Sequence, residues 1–417
     1  MDERTILVWF RNDLRIHDNE ILLRAIERSR QIVPVYCFDP RHFTRTRYGT
    51  HKTGVLRAAF LLENVLALQQ MLRQLGGDLI IRYGYPEKLL PKLAEKYDVD
   101  EVYHHREVAH EETYISGLVE ESLWKMQINL KHFIGHTLYH KEDLPFPVRD
   151  IPDAFSIFKK KTERESSIRP QLMPPTSLRV PEEMDCGRVP ELSELGFSAE
   201  EIAYSANLGF QGGETAALEQ MYTFLRAPSY TATDYTRLSP YIAVGALSPN
   251  TFYHATKAAE NTTLDKKRGE QIILRLLWRD YYRFMFKKHG NRFFRQGGIT
   301  DTPPEISADE ERLFNRWKHA DTGNPVVDRS VRQLNETGYL PHYQRLIIAS
   351  YLVHELHVDW LKGAAWFEEK LIDYGPATNY GSWAHVAGVG SSLKDNKPVD
   401  LKKLTAQFYP KEAMEFG

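Results

Sequence analysis

The sequence predicts an α/β N-terminal domain, built on a five-stranded parallel Rossmann-like sheet, followed by an all-α C-terminal domain. Two observations predict this architecture. Short β-rich runs alternate with helical periods as far as residue 133, and strand signals nearly vanish beyond Ala199. Such alternation is typical of a parallel sheet covered by helices. A chain of 417 residues with 42% hydrophobic content is also long enough for two domains.

The N-terminal domain is expected over residues 1–133. Its strand signals are the runs TILVWF, IVPVYCF, DLIIRYG, VDEVYHH and INLKHFIG, with helical stretches at 56–75 and 112–126 among them. The loop after the first strand reads RNDLRIHDN and lacks the glycine fingerprint that opens a dinucleotide site. We therefore expect that this domain does not bind a dinucleotide in the usual way.

The remaining chain divides into a connector and a helical domain. Residues 134–198 are rich in proline, which interrupts regular structure, and they are expected to form a long connector. The helical domain is expected over 199–417, with periodic stretches at 216–226, 240–259, 271–288, 338–354 and 360–371.

Charge and cysteine content narrow the classes of partner and compartment. The formal net charge is −2, so any nucleic-acid contact must come from a local patch such as KKKTER at 159–164. The two cysteines, Cys37 and Cys186, lack metal-ligand spacing and suit a reducing compartment. No apolar run is read as spanning a bilayer, and MDERTILVWF is unlike a signal peptide. A cytoplasmic protein without a membrane partner is expected.

The segment LLWRDYYRF, residues 276–284, places aromatic and cationic side chains on about two helical turns. Such a helix suits a large planar anionic ligand, although an aromatic stripe in the core is the simpler alternative. Together with VWFRNDLRIHDN at 8–19 and DYGPATNYGSW at 373–383, it resembles the photolyase and cryptochrome family of flavoproteins. The DASH branch is the most similar, and the resemblance covers nearly the whole chain.

The resemblance implies that the helical domain binds FAD in a U shape. The residues matching the family's flavin contacts are Tyr222, Arg226, Thr236, Leu238, Ser239, Trp278, Arg279, Arg345, Asp373 and Asn379. The loop before Pro240 would grip the diphosphate at a helix N-terminus, where free amides favour anions, unless it is an ordinary helix cap. Arg279 would be a phosphate partner, Arg345 and Asp373 would bracket the isoalloxazine, and Asn379 would face its N5. Two positions depart from the family pattern, Tyr235 at the diphosphate loop and Gly375 at the pyrimidine edge.

The family's photoreduction relay is only partly matched. Trp383 and Trp360 match its two inner tryptophans, whereas Ser307 stands at the outer position, ten residues before Trp317. An electron hole would then end on Trp360 or on a nearby tyrosine. The resemblance therefore implies slower or shorter-lived photoreduction, and bulky core aromatics are the alternative interpretation.

The pocket for a flipped pyrimidine dimer departs most from the family pattern. Arg275 occupies the position of the Glu that hydrogen-bonds the lesion, and a guanidinium has no acceptor. His342, Leu346 and His385 also replace the residues usual in cyclobutane-dimer enzymes. His342 aligns with a proton-transfer histidine of (6-4) photolyases, but Leu346 fills the place of their second histidine. A structural histidine is the alternative.

The antenna pocket of DASH members holds a folate through a carboxylate that matches Glu107 in HREVAHEE. This match implies methenyltetrahydrofolate as the antenna, and a surface glutamate on a loop is the alternative. The chain stops at FYPKEAMEFG, where family members usually continue with a GEY-type segment and a further helix. Part of the outer wall of the helical domain is therefore expected to be missing.

These features lead to competing expectations about function. The preferred one is a blue-light-absorbing DASH-type flavoprotein that binds single-stranded or looped DNA, with ordinary dimer repair weakened or lost. The enzyme alternative is a working cyclobutane pyrimidine dimer photolyase. A (6-4) photolyase and a non-photochemical flavin scaffold are further alternatives, and the sequence identifies no protein partner.

Overall fold

The N-terminal half is an α/β unit with one parallel sheet, as predicted. The structure, a computed structural model, describes residues 4–227, 236–392 and 400–408. The strands are β1 Thr5–Phe10, β2 Gln31–Phe38, β3 Ile80–Tyr83, β4 Glu101–His105 and β5 Asn129–Phe133, in the order β3-β2-β1-β4-β5. The helices between them are α1 Glu20–Arg28, α2 Val55–Gln74, α3 Pro86–Lys96 and α4 His110–Trp124.

The sheet is buried on both faces, which explains its continuous apolar runs. All six residues of β1 are buried, and its two neighbours, β2 and β4, both run parallel to it. Parallel sheets covered by helices read as unbroken hydrophobic strands for this reason. The strand order reverses between β1 and β4, so the loops after these two strands meet at the place where α/β sheets bind ligands or partners.

The connector is more ordered than its proline content suggested. It contains a helix, α5 Phe155–Glu165, whose Phe155 and Phe158 are buried against the helical half. Further along, the amide of Ile81 donates to the carbonyl of Cys186 at 2.7 Å, so this part of the connector lies along the edge strand β3. The proline-rich connector is therefore irregular in backbone but packs against both halves of the molecule.

The second half consists of helices and connecting loops, with no strand among its described residues. Its helices are α6 Ala199–Tyr204, α7 Glu214–Arg226, α8 Ser239–Ala243, α9 Pro249–Glu260, α10 Lys266–His289, α11 Glu310–Lys318, α12 Pro325–Thr337, α13 His342–Ser350, α14 Trp360–Lys370, α15 Pro376–Val386 and α16 Leu401–Phe408. A π-helical turn, Tyr351–Glu355, follows α13.

Two predicted helical stretches were wrong in extent. The stretch 240–259 is two helices, because Gly245 has φ +72° and Pro249 opens α9. The stretch 338–354 begins only at His342, because Gly338 is the left-handed C-cap of α12 and Pro341 precedes α13.

The loop after β1 docks the sheet against the helical half. Arg15 donates to the carbonyl of Gly245 at 2.9 Å, and the amide of Ile16 donates to Glu214 at 2.6 Å. A Cβ placed on Gly245 would lie 1.9 Å from the carbonyl oxygen of Asn12, so only glycine permits this approach. The motif RNDLRIHDN therefore serves as a contact between the two halves.

One described helix has the length and composition of a membrane span. Within the described ranges, α2 is the helix long and apolar enough to cross a bilayer by length and composition. The expectation that no run would qualify was wrong, because Arg57 and Glu63 interrupt the apolar run without lowering the mean hydropathy of the helix enough. Phe60, Val65 and Leu68 of α2 pack into the main core. This burial is the pattern of a core helix.

Candidate functional site

The candidate site contains an ion pair near the N-terminus of α13. An Nη of Arg345 lies 2.6 Å from Oδ2 of Asp373, and the guanidinium also donates to the carbonyl of Leu340 at 2.8 Å. The Asp373 side chain is 2% exposed, yet its Oδ1 accepts no hydrogen bond from any described residue. A buried carboxylate oxygen without a donor is costly, so it is available to a ligand donor.

The N-terminus of α8 reaches the same place. Ser239 begins this helix, and its hydroxyl lies within hydrogen-bonding reach of Tyr339, whose ring is 5.9 Å from the Arg345 guanidinium. Leu238 is fully buried, and the Thr236 hydroxyl accepts from the Leu238 amide at 3.3 Å. The predicted diphosphate loop and the predicted isoalloxazine pair are therefore neighbours. Tyr235 lies outside the described residues.

The outer face of α7 extends this region. Arg226 lies over the Tyr222 ring at 5.5 Å, and both line an open cavity of about 430 Å³. A neighbouring cavity of about 320 Å³ shares Glu219 and Thr223 with it and is also lined by Arg237, whose guanidinium is 5.9 Å from Tyr339. Tyr222 and Arg226 are thus connected to the Asp373 pair through Arg237 and Tyr339.

Three of the predicted substrate-pocket residues, Arg275, His342 and His385, lie near one another. Trp278 on α10 stacks on Phe155 of the connector at 3.6 Å and contacts the His385 ring at 5.9 Å. Arg275, one turn earlier on α10, is exposed, and Leu346 on α13 is half-buried. Phe155 was not predicted as a site residue, although it lies within the matched segment DIPDAFSIF.

His342 lines this pocket from α13. It is the first residue of this helix, and its side chain is exposed. Desolvation of the ring by the surrounding protein, followed by the charges of Arg275 and Arg345 and by His385, lowers the pKa of His342 to about 4. The side chain is therefore neutral at pH 7, and Arg275 carries the positive charge of this wall of the pocket.

Asn379 and three tryptophans are buried in the helical half. The Asn379 side chain is buried on α15 and donates to the carbonyl of Ala364 at 2.9 Å, which fixes its amide orientation. Trp383, Trp360 and Trp317 are 2%, 1% and 0% exposed. The rings of Trp383 and Trp317 are 6.4 Å apart, and Ser307 lies in the loop before α11.

Arg279 and Glu107 lie together, apart from the Asp373 pair. Arg279 donates to the carbonyl of His136, and Glu107 accepts from Arg283 at 2.8 Å and from Asn12 at 2.8 Å. Glu107 is 1% exposed, so it is not a surface residue. A folate would have to reach a buried carboxylate that already accepts two hydrogen bonds. The phosphate role of Arg279 stays a prediction, because the side chain is held at the contact between the two halves.

The side chains that converge fit a flavin dinucleotide. Asp373 offers an unpaired acceptor, Arg345 and Arg237 offer cations, and the indole nitrogen of Trp383 has no acceptor among the described residues. Aromatic walls with few convergent polar groups are typical of cofactor sites. The fold and this site together define a flavin-binding protein with an α/β domain joined to a helical domain.

Comparisons with known proteins identify the family. Residues 6–178 match the family model "DNA photolyase", and residues 272–402 match "FAD binding domain of DNA photolyase". Cryptochrome DASH of Gloeobacter violaceus is 37% identical over 98% of this chain and 84% of its own length. Cryptochrome DASH of Synechocystis is 36% identical, with 97% and 85% covered. The chain therefore belongs to the photolyase and cryptochrome family, and it is an FAD-binding protein of the DASH cryptochrome type.

Solved structures agree with this assignment. The crystal structure of a Synechocystis cryptochrome matches with a TM-score of 0.89 at 36% identity and covers 99% of this chain and 87% of that one. A class III photolyase from Agrobacterium tumefaciens shares the fold, with a TM-score of 0.83 at 24% identity over 100% and 87% of the two chains.

Proposed function

We propose that this protein is a blue-light-absorbing flavoprotein that binds DNA and whose ordinary cyclobutane-dimer repair is weakened or lost. The observation that carries the proposal is the exposed guanidinium of Arg275 in the pocket beside Trp278 and His342. A dimer offers the pocket carbonyl oxygens and N–H groups, and the N–H groups need an acceptor that Arg275 lacks. An unpaired buried donor on the lesion costs about 1–3 kcal/mol, which weakens its binding roughly 5- to 150-fold.

The side chains around the pocket support flavin photochemistry. Bound FAD supplies light absorption and one-electron chemistry at this site. Asp373 would accept a hydrogen bond from the cofactor, and Arg345 would balance added negative charge near it. Asn379, fixed by Ala364, would present its amide to the ring, while the stacked pair of Trp278 and Phe155 excludes water from one wall.

DNA binding is proposed from a local basic surface. Lys160 and Lys161 are exposed on α5, which packs beside the pocket through Phe155. Lys159, by contrast, pairs with Glu163 at 2.6 Å, so the run offers less free charge than its sequence suggests. Such a small patch favours salt-sensitive binding of single-stranded or looped DNA, in which bases can stack on exposed rings.

The test is light-driven repair of a dimer-containing oligo(dT) by the photoreduced protein. The wild type is compared with Arg275→Glu, which restores a carboxylate, and with Lys267→Glu, which makes the same charge change on the exposed first turn of α10. We expect repair by Arg275→Glu alone. Repair by the wild type at a similar rate would contradict the proposal.

The second candidate is a cyclobutane pyrimidine dimer photolyase with a rebuilt pocket. Asn379 and Trp278 favour it, since both keep the residue types expected of a photolyase; Asn379 donates to the carbonyl of Ala364, and the Trp278 ring contacts that of His385. Repair by the wild type would establish it. The neutral state of His342 at pH 7 argues against (6-4) chemistry that needs a protonated histidine there. A colourless purified protein that retains no FAD would instead support a scaffold role.

A further inference from the structure

Tyr380 lies where an electron hole on Trp360 would next move. The two rings are 6.4 Å apart at 73°, and Tyr380 follows Asn379 directly on α15. Tyr380 is 7% exposed, and its hydroxyl donates to Oε2 of Glu368 at 2.8 Å. The tyrosine therefore combines contact with a relay tryptophan and a hydrogen-bonded carboxylate.

The hydrogen bonds of the two rings decide where the hole comes to rest. The indole N–H of Trp360 donates to the backbone carbonyl of Gln296 at 2.9 Å, and an amide carbonyl is too weak a base to take that proton. A Trp360 radical cation therefore keeps its proton and remains a strong oxidant. An oxidised phenol is strongly acidic, and Glu368 is positioned to accept its proton.

We propose that Tyr380 and Glu368 form the terminal, proton-coupled electron donor of this protein, in place of the outer tryptophan that Ser307 replaces. In this step one electron passes from Tyr380 to the Trp360 radical cation, and the phenolic proton passes to Oε2 of Glu368. The products are neutral Trp360, a neutral tyrosyl radical and a protonated Glu368. The positive charge on Trp360 and the negative charge on Glu368 are both neutralised. This disfavours the reverse transfer of the electron from Trp360 to Tyr380. The inference rests on the proposed photochemistry, because bound FAD would supply, in its light-excited state, the oxidising power that generates the tryptophan radical cation.

Glu368 has the surroundings of a proton acceptor. Burial raises its pKa above the usual value, while hydrogen bonds from Tyr380 and Tyr374 and the charge of Arg57 act in the opposite direction. Burial and the same carboxylate raise the pKa of Tyr380 well above its ordinary value, so the proton rests on the phenol before oxidation. Arg57 lies 4.5 Å from the Tyr374 ring and completes the group.

Tyr374 provides a matched control. It shares Glu368 with Tyr380, but its ring has no contact with Trp360 among the described aromatic pairs. Tyr380→Phe removes the phenol and keeps the ring, Tyr374→Phe removes the other phenol from the same carboxylate, and Glu368→Gln keeps the acceptor shape but removes the base. FAD content and circular dichroism are measured for each variant to confirm loading and folding.

The experiment is flash photolysis of the FAD-loaded protein, with transient absorption and EPR on samples that carry ring-deuterated tyrosine. We expect a tyrosyl radical in the wild type and in Tyr374→Phe, and its loss in Tyr380→Phe and Glu368→Gln, where a tryptophan radical remains. An unchanged tyrosyl signal in Tyr380→Phe would overturn the inference. If Tyr380→Phe fails to fold, D₂O decides with the wild type alone, since tyrosyl formation that is not slowed there contradicts proton coupling. A wild type that forms no radical of either kind would overturn the proposed photochemistry itself.

Discussion

Replacement of Glu107 by Gln should separate a structural role from an antenna role. The carboxylate accepts from Arg283 at 2.8 Å and from Asn12 at 2.8 Å, and it faces His136 at 3.3 Å. Arg283 belongs to α10 and Asn12 to the loop after β1, so Glu107 joins the two halves of the molecule. The substitution leaves the Arg283 guanidinium, 14% exposed, without its counter-charge.

The expected loss of stability follows from this burial. Removing one partner of a buried ion pair costs about 3–5 kcal/mol, and the partial exposure of Arg283 places the expected value near the lower limit, about 3 kcal/mol. Burial alone would raise the pKa of Glu107, but His136 when protonated, Arg283 and Arg11 hold it far below the usual value. Burial lowers the pKa of His136, so Arg283 is the main counter-charge at neutral pH. The stabilisation is therefore complete above pH ~4.3, the ordinary glutamate value, and is lost as the pH falls through the folded-state pKa.

Urea unfolding at pH 7 and pH 3, followed by circular dichroism, measures this effect. Glu121→Gln is the control, because its pair with Lys125 at 2.9 Å is exposed on both sides and should contribute at most about 0.5 kcal/mol. The double variant Glu107→Gln/Arg283→Met should recover part of the loss. A Glu107→Gln protein no less stable than Glu121→Gln would refute the reasoning, whereas loss of a bound folate without loss of stability would favour the antenna role.

Two further predictions concern buried carboxylates of the helical half. Asp373→Asn breaks the 2.6 Å ion pair with Arg345 and should weaken FAD binding at least about tenfold, or 1.4 kcal/mol; titration of the apoprotein with FAD measures this, and an unchanged Kd would count against the site. Burial raises the pKa of Asp280 to about 7, so the unfolding free energy of the wild type should fall as the pH rises from ~4 to 7. Asp280→Asn should remove that decline, and parallel curves for the two proteins would show that Asp280 does not titrate in this range.

The sequence predicted elements whose periodicity is strong, and it missed those that tertiary contacts define. The run TILVWF became β1 because both faces of the strand are covered, and the 3.6-residue period of 271–288 became α10. By contrast, α5 is rich in lysine and lies among prolines, and it is stabilised by the contacts of Phe155 and Phe158 with α10. The stretch 240–259 divides at Gly245, which has a positive φ and whose missing Cβ leaves room for Asn12 of the other half.

The sequence predicted those site residues that lie in matched motifs. It did not predict hydrogen-bond partners that come from distant segments of the chain. Arg345 and Asp373 form the expected pair because both lie in matched segments. Tyr339 and Glu368 were not predicted as site residues, since their local sequence does not distinguish them from other residues of the predicted helical stretches. Arg283 was part of the WRDYYR segment, yet its partner Glu107 lies 176 residues away, a pairing that no single-sequence pattern reports.

The contact between the loop after β1 and the helical half can form only late in synthesis of the chain. Arg15 finds its acceptor on Gly245 only after 230 further residues have been made. At ordinary ribosomal speeds of about 5–20 residues per second, that interval lasts roughly 10–50 s. Once Phe133 has been made, the sheet has all five strands, but the loop after β1 still lacks its contact with the helical half. Until Gly245 has been made, one donor of Arg15 lacks its partner, although the others reach the carbonyls of His17, Asp18 and Gly135 within the first 135 residues. A truncated N-terminal half released from the ribosome would keep the contact surface of this loop exposed.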